Sequence, residues 1–92
     1  MPAGKKFDSG KLMLDLIPPE ATRALGEVLT YGAQKYGPNN WRGVEPRRYE
    51  AALQRHLLAW KEGERKDAES GLHHLKHVLT NAAFLVTLEG GE

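Results

Sequence analysis

The residue types that could bind a metal ion are concentrated between His56 and Asn81, a stretch that contains all four histidines and several acids. At 3.6 residues per turn, His74, His77 and Asn81 lie along one strip of a helix, and His56 lies on one face of the preceding helix. Two helices joined by a short polar turn run antiparallel, so the hairpin can bring His56 to this strip. Imidazole nitrogen and carboxylate oxygen together bind divalent cations, and imidazole favours Mn, Fe, Co, Ni or Zn over Mg. The candidate metal ligands are His56, Asp67, His74, His77 and, on an earlier helix, Glu27.

The turn between these two helices supplies acids that could also activate a water molecule. The candidate catalytic acids are Asp67, Glu62 and Glu69. A structural interpretation stays open, in which His56 and His77 are core histidines hydrogen-bonded to each other and to Asn81, while the acids cap a helix. No HExxH motif, His-Asp doublet or GxxxxGK[ST] phosphate loop occurs, so those three signatures do not account for the stretch.

A loop of turn-forming residues follows the first predicted helix and could hold an aromatic ligand. It contains Asn39, Asn40 and Trp41. A tryptophan beside amide side chains can stack on a nucleic base while the amides read the edge of that base. The alternative is that Trp41 closes the open end of a small core, since tryptophan is usually largely buried.

Several cations could hold an anionic ligand. Arg55 is next to His56 and is the best phosphate contact, because a guanidinium binds phosphate through two parallel hydrogen bonds. Lys5, Lys6 and Lys11 could reach an anion, or they could simply solvate the N-terminal segment.

Helix start and stop signals predict the elements that carry these residues. A proline pair at 18 and 19 opens the first helix and Gly37 ends it. The second helix runs from about 46 to 62, and the third from an N-cap at Ser70 to about 88. In the third helix His73 is expected to face solvent.

The N-terminal residues predict no helix. Residues 1–17 alternate leucines with other residues, and because no partner strand is present they indicate an extended arm lying on the helices. We therefore predict an all-α fold, a small bundle of three main helices with an extended N-terminal arm. Residues 1–92 form a single domain in this prediction, with residues 18–89 as its helical core.

Composition bounds the function further. The 92 residues carry a formal net charge of +1, which gives no electrostatic case for nucleic-acid binding. The absence of cysteine excludes disulfides, thiolate zinc sites and a catalytic thiol. Neither an apolar signal region nor a segment of about 18 apolar residues occurs, so we expect no membrane contact and a cytoplasmic location. Because so short a chain buries only roughly 60–65% of its unfolded surface, a homo-oligomer, dimer or tetramer, is expected to complete the core.

Three runs carry a family resemblance: KFDSGKLMLDLIPPEA, LTYGAQKYGPNNWRG and RHLLAWKEGERKDAESGLHHLKHVLTNAAFLVTLE. They resemble the small dATP/dGTP diphosphohydrolase domains of phages and prophages, the MazZ-type group placed near the all-α MazG-like nucleotide pyrophosphohydrolases. The resemblance extends from about Lys6 to Glu89, and its most specific pieces are GAQKYGPNNW and DAESGLHHLKH.

This resemblance implies an enzyme that hydrolyses a purine (deoxy)nucleoside triphosphate to the monophosphate and pyrophosphate. The implied cofactor is a divalent metal, Mg or Mn, or else Co or another transition metal. MazG-like enzymes hold metal with ExxE on one helix and ExxD on the next, whereas this chain offers His56 and then His74-x-x-His77. In this role Lys11, Lys35 and Arg55 hold phosphates, and Asn39, Asn40 and Trp41 hold the base.

Two other functions remain open on the sequence. The first is a non-catalytic helical oligomer whose histidines form a structural network. The second is DNA binding through basic residues, which the near-neutral charge argues against. The residues concerned are Lys5, Lys6, Arg42, Arg47 and Arg48.

Overall fold

The computed structural model describes residues 9–90, and its regular elements in this range are helical. The α-helices are α1 (Pro19–Tyr36), α2 (Pro46–Lys61) and α3 (His74–Leu88). Two short 3-10 turns, Leu14–Leu16 and Asn40–Gly43, lie before α1 and between α1 and α2. Among the described residues there is no strand, only an isolated antiparallel bridge in the turn before α3. The predicted all-α bundle of three helices is confirmed.

Proline and glycine set the ends of α1 and α2, as the sequence indicates. Pro19 and Pro46 lie in the first turns of the two helices, where a missing N–H costs no helical hydrogen bond. Gly37 and Gly63 follow the helices with φ angles of +96° and +104°. A Cβ would strain this left-handed backbone, so glycine lets the chain turn sharply at both points.

The start of α3 differs from the prediction. The N-cap is His73 and not Ser70, and the His73 ring accepts a hydrogen bond from the backbone N–H of Leu75 at 3.0 Å. His73 is half-buried, and its ring caps the helix, a role that the sequence did not indicate.

A compact turn between α2 and α3 explains the later start. The backbone N–H of Asp67 donates to the carbonyl of Leu72 at 2.8 Å, and the N–H of His74 donates to the carbonyl of Arg65 at 2.9 Å. Gly71 has a φ of +75°, which the turn requires and a helix does not allow. These hydrogen bonds use backbone N–H and carbonyl groups that a helix beginning after Ser70 would need for its own hydrogen bonds.

The third helix is the central element of the bundle. It packs chiefly against α2 and also against α1. His56 contacts His74 near the start of α3, and Tyr49 contacts Phe84 near its end, so α2 and α3 run antiparallel as predicted.

The interior is unusually polar for a helical bundle. The buried apolar residues in the described range are Ala24 and Val28 of α1. The buried polar residues all belong to α3: His74, His77, Thr80 and Asn81. Buried polar groups are tolerated when they are hydrogen-bonded, and no buried side-chain nitrogen or oxygen among residues 9–90 lacks a partner.

The described part of the arm is not covered by the helices. Its apolar side chains are exposed, from 50% at Ile17 to 84% at Leu12. The expectation that the arm lies on the helices was therefore wrong for these residues, because a packed segment would bury those side chains. Leu75, Leu79 and Val86 form a second exposed apolar stripe along α3. Within residues 9–90, no helix combines the length and apolar character needed to cross a bilayer.

Candidate functional site

A cleft of about 1040 Å³ opens between α1 and α2 and is lined by all three helices. The loop between α1 and α2 and the turn before α3 also contribute to its lining. Sites for small molecules typically have volumes of about 300–1000 Å³, so this cleft is at the large end of that range. Two groups of side chains line its ends. We call them the histidine cluster (His56, Asp67, His74 and His77) and the aromatic cluster (Trp41, Tyr49 and Phe84).

The histidine cluster brings three different kinds of position together. His56 projects from α2, His74 from the start of α3, and Asp67 from the turn that joins them. The Nδ1 atoms of His56 and His74 are 2.8 Å apart. One ligand atom from each of His56, Asp67 and His74 lies within 4.8 Å of the other two. The hairpin geometry expected from the sequence thus places two imidazoles and a carboxylate within reach of one point.

Asp67 is held in place by Ser70. The backbone N–H and the hydroxyl of Ser70 donate to Asp67 Oδ2 at 2.8 and 2.9 Å. Burial alone would raise the pKa of Asp67, but these two hydrogen bonds and the neighbouring His77 and His56 rings together hold the pKa below its ordinary value. Asp67 is therefore an ionised ligand candidate at neutral pH.

His77 supports the other members of the cluster. Its ring stacks on His56 with centroids 4.3 Å apart and planes inclined by 9°. Its Nε2 lies 2.7 Å from Ser70 Oγ. The Ser70 hydroxyl already donates to Asp67, so His77 Nε2–H donates to Ser70. Nε2 is thus engaged with Ser70, while His77 lies 4.0 Å from Asp67 Oδ2.

Both stacked histidines favour the neutral form. Burial lowers the pKa of His56, and the neighbouring His77 ring lowers it further. Burial likewise lowers the pKa of His77 and outweighs the opposing charge of Asp67. A neutral imidazole has the free lone pair that metal binding needs.

Glu64 is a member of the site that sequence reasoning missed. Its Oε1 lies 2.5 Å from Nε2 of His74. Glu64 follows Gly63, where the chain leaves α2, and no periodicity extends beyond that point to indicate where the side chain lies. The N-cap prediction for Ser70 also misses its contact with Asp67, although their three-residue spacing is that of a side-chain-capped turn.

The rim of the cleft carries a charged pair. Lys35 Nζ donates to Glu69 Oε1 at 2.8 Å, and the Tyr31 hydroxyl donates to the same oxygen at 2.9 Å. The hydrogen bonds from Lys35 and Tyr31 lower the pKa of Glu69, while the hydrogen bond to Glu69 raises the pKa of Lys35. Arg55 also lines the cleft and is exposed beside His56.

At the aromatic cluster, Trp41 and Phe84 stack with centroids 4.4 Å apart. Tyr49 lies against Phe84 at 4.7 Å, and its hydroxyl donates to the Trp41 carbonyl at 3.0 Å. The Arg42 guanidinium lies 4.5 Å from the Trp41 ring centre. Trp41 therefore packs as a part of the bundle, which agrees with the alternative that it closes the end of a small core. The neighbouring amides, Asn39 and Asn40, are exposed and line the cleft.

The structure does not bring every predicted site residue to the cleft. Glu27 is paired with Lys76 at 2.6 Å and does not line the cleft. Glu62 is exposed at the end of α2, and Lys11 is exposed on the arm, so neither lines the cleft. Lys5 and Lys6 lie outside the described residues.

Comparison with known proteins places the chain in a family. The family model described as "dATP/dGTP diphosphohydrolase, N-terminal" matches residues 1–91. The chain belongs to this family. Its membership confirms the resemblance carried by the three sequence runs.

Another family member is a curated protein of Salmonella phage PMBT28, named dATP/dGTP diphosphohydrolase. It is 41% identical to this chain over 85 residues, which is 92% of this chain and 29% of the phage protein. The chain therefore spans about 29% of the length of that relative. No solved structure matches the chain.

Proposed function

We propose that this chain hydrolyses purine (deoxy)nucleoside triphosphates to the monophosphate and pyrophosphate in a phage or prophage context, with a divalent cation as cofactor. The observation that carries the proposal is the convergence of His56, Asp67 and His74 within 4.8 Å at one end of a nucleotide-sized cleft. The name of the phage relative supports the substrate class. The family membership supports the reaction class.

The donor set fits a divalent cation. Two imidazole nitrogens and one ionised carboxylate are a common combination for Mn, Co and other first-row metals, and they also accept Mg less strongly. Both features that favour binding are present, because His56 is biased to its neutral form and Asp67 to its ionised form. A cation held by His56, Asp67 and His74 would neutralise the charge that develops on the leaving pyrophosphate.

The reaction requires that water attack the α-phosphorus while the bond from that phosphorus to the α–β bridging oxygen breaks. The chain's cations are placed to orient the phosphates for this attack. Arg55 lies beside His56 on the cleft wall and can bind two phosphate oxygens at once. Lys35 is held toward the cleft by Glu69, and we assign Glu69 the role of positioning this lysine.

The base lies toward the other end of the cleft in this proposal. Asn39 and Asn40 are exposed there and offer both hydrogen-bond donors and acceptors to the edge of a base. Trp41 already contacts Phe84, and exposed Arg42 covers part of its ring. A base would stack on Trp41 only by displacing Arg42.

The test is pyrophosphate release from eight ribo- and deoxynucleoside triphosphates, with Mg, Mn and Co supplied in turn. Release confined to purine nucleotides and abolished by EDTA is expected. A His77→Ala variant should lose turnover while retaining its helical circular dichroism, because His77 stacks on His56 and holds Ser70. Pyrophosphate release that persists in EDTA would overturn the metal requirement.

A structural role for the histidines is the alternative that one observation favours. Every buried polar side chain in the described range already has a partner, as a purely structural network requires. In that case the protein binds neither Mn nor Co, and it releases no pyrophosphate. Metal content measured by equilibrium dialysis separates the two functions.

Association with further copies of the chain is the second part of the proposal. The apolar arm residues 12–17 and the α3 stripe are exposed, and exposed groups of large apolar side chains often mark an interaction site. A homo-oligomer, dimer or tetramer, would cover both. Light scattering should give a mass above the 10.3 kDa of one chain, and Leu12→Asp with Leu16→Asp should reduce that mass.

A further inference from the structure

One contact at the edge of the histidine cluster has no role in the proposed reaction. Glu64 Oε1 lies 2.5 Å from Nε2 of His74. Glu64 is exposed on the turn after α2, whereas His74 is buried at the first position of α3. The contact therefore joins a solvent-facing carboxylate to the least accessible imidazole of the cluster.

The chemistry of the two groups fixes the direction of this hydrogen bond. An ionised carboxylate can only accept, so His74 Nε2 carries the proton and donates it to Glu64. When the His74 ring is neutral, its one proton lies on Nε2 and Nδ1 is unprotonated. Nδ1 is the atom that faces Nδ1 of His56 at 2.8 Å.

The facing nitrogens make this choice of tautomer important. Two imidazole nitrogens 2.8 Å apart must share a proton or a cation, because two bare lone pairs would repel. With His74 Nδ1 unprotonated, the His56 Nδ1–H donates to it in the metal-free protein. Without an acceptor at Nε2, His74 could carry its proton on Nδ1 instead, and its lone pair would then leave the site.

We propose that Glu64 is a positioning residue, which holds His74 in the Nε2–H tautomer so that Nδ1 is presented as a ligand to a divalent cation. This inference rests on the cation site of the proposed function. Carboxylates commonly orient metal-binding histidines in this way, and removing such a partner typically weakens metal binding by about 10–100-fold.

Two substitutions separate the effect of the acceptor from that of the charge. Glu64→Ala removes both, whereas Glu64→Gln keeps a carbonyl oxygen that can accept the Nε2–H without the negative charge. Glu50→Gln is the matched control, since Glu50 is an exposed acid on α2 that does not line the cleft. Circular dichroism checks that each variant keeps its helices.

The first readout is the nitrogen-15 spectrum of the histidine side chains in the full, metal-free chain. The wild-type protein and Glu64→Gln should show His74 as the Nε2–H tautomer, and Glu64→Ala should show a mixture or the Nδ1–H form. A structural role for Glu64 would not move this signal. An unchanged His74 tautomer in Glu64→Ala would overturn the inference.

The second readout is the affinity for Mn or Co alone, measured by calorimetry. Glu64→Ala should bind about 10–100-fold more weakly than wild type, Glu64→Gln should lose less, and Glu50→Gln should match wild type. Equal affinity of wild type and Glu64→Ala would overturn the inference and leave the cation site intact. Absence of binding by the wild type would overturn the cation site, while the tautomer spectrum would still decide whether Glu64 orients His74.

Discussion

Helices α2 and α3 both contribute side chains to the histidine cluster and to the aromatic cluster, and each cluster is completed by a residue from a turn, Asp67 or Trp41. The side chains of the two clusters are nevertheless held in different ways. In the histidine cluster, hydrogen bonds from the turn before α3 hold Asp67, His74 and His77. Ser70 holds Asp67, and Glu64 holds His74. The Nδ1 atoms of His56 and His74 remain directed at each other on the cleft side.

In the aromatic cluster, the faces of the rings are used for packing against one another. Trp41 stacks on Phe84, and Tyr49 packs on the same ring while donating to the Trp41 carbonyl. Such contacts contribute stability and leave little of the rings for a ligand. The difference agrees with the proposed function, in which the cation is held at the histidine end while the aromatic end contributes packing.

Removing a ligand at the histidine end should have the largest effect on activity. His56→Ala deletes one of the two facing nitrogens. Loss of a residue that only orients a metal ligand typically lowers activity by up to roughly 100-fold, and we expect loss of the ligand itself to lower turnover by more than that. The measurement is pyrophosphate release at saturating nucleotide, with helical content checked by circular dichroism. Arg47→Ala, at an exposed position on α2 outside the cleft, is the control. Turnover above one tenth of wild type would remove His56 from the reaction.

Removing a ring at the aromatic end should instead cost stability. Phe84→Ala deletes the half-buried ring that both Trp41 and Tyr49 contact, and we expect the free energy of unfolding to fall by about 2–4 kcal/mol. Urea denaturation of the metal-free protein measures this loss. The affinity for Mn should change by less than about threefold, because substitutions at sites that do not contact each other usually act independently. A tenfold loss of metal affinity would show that the two ends are not independent.

The fold was largely predictable because its signals are local. Prolines at helix starts, glycines after helix ends and apolar spacing together indicated α1 and α2 to within about two residues. The start of α3 was not predictable in the same way. Ser70 has the side chain of an N-cap, but hydrogen bonds to Asp67 in the same turn and to His77 on α3 use its hydroxyl instead.

The site was predictable only in part, for a related reason. Periodicity placed His56 and His74 on facing surfaces, since both lie within regular helices or at their ends. It could not place Glu64, whose position depends on how the chain turns after Gly63. Glu27 was predicted as a metal ligand from its position on α1, but its carboxylate is instead paired with Lys76 on α3. Helical periodicity cannot indicate such a partner on another helix.

Lowering the pH from 8 to 5 should reduce the stability of the protein through the histidine cluster and not through the aromatic cluster. The pKa values of His56 and His77 lie below their ordinary value in the folded chain, so the unfolded chain binds protons first as the pH falls through about 6.5. The metal-free protein should therefore keep its stability above that pH and lose it progressively below. Thermal denaturation in EDTA from pH 8 to pH 5 measures the loss. His77→Asn should make the melting temperature depend less on pH, whereas Phe84→Ala should lower the melting temperature equally at every pH. If the melting temperature of His77→Asn falls as steeply with pH as that of wild type, His77 does not contribute to the pH dependence.

The smallest effect is expected at the rim, where the role of Glu69 can be decided. Its carboxylate is exposed and bound to Lys35 and Tyr31, so its loss should only loosen the lysine. Exposed ion pairs contribute little, and we expect Glu69→Gln to raise KM by less than about fivefold with kcat nearly unchanged. Lys35→Ala should raise KM by at least as much, and combining the two substitutions should add little, because both remove the same contact. If Glu69→Gln instead lowers kcat by about 100-fold or more, Glu69 acts on the attacking water, and the reactive part of the cleft extends from the histidine cluster to the rim.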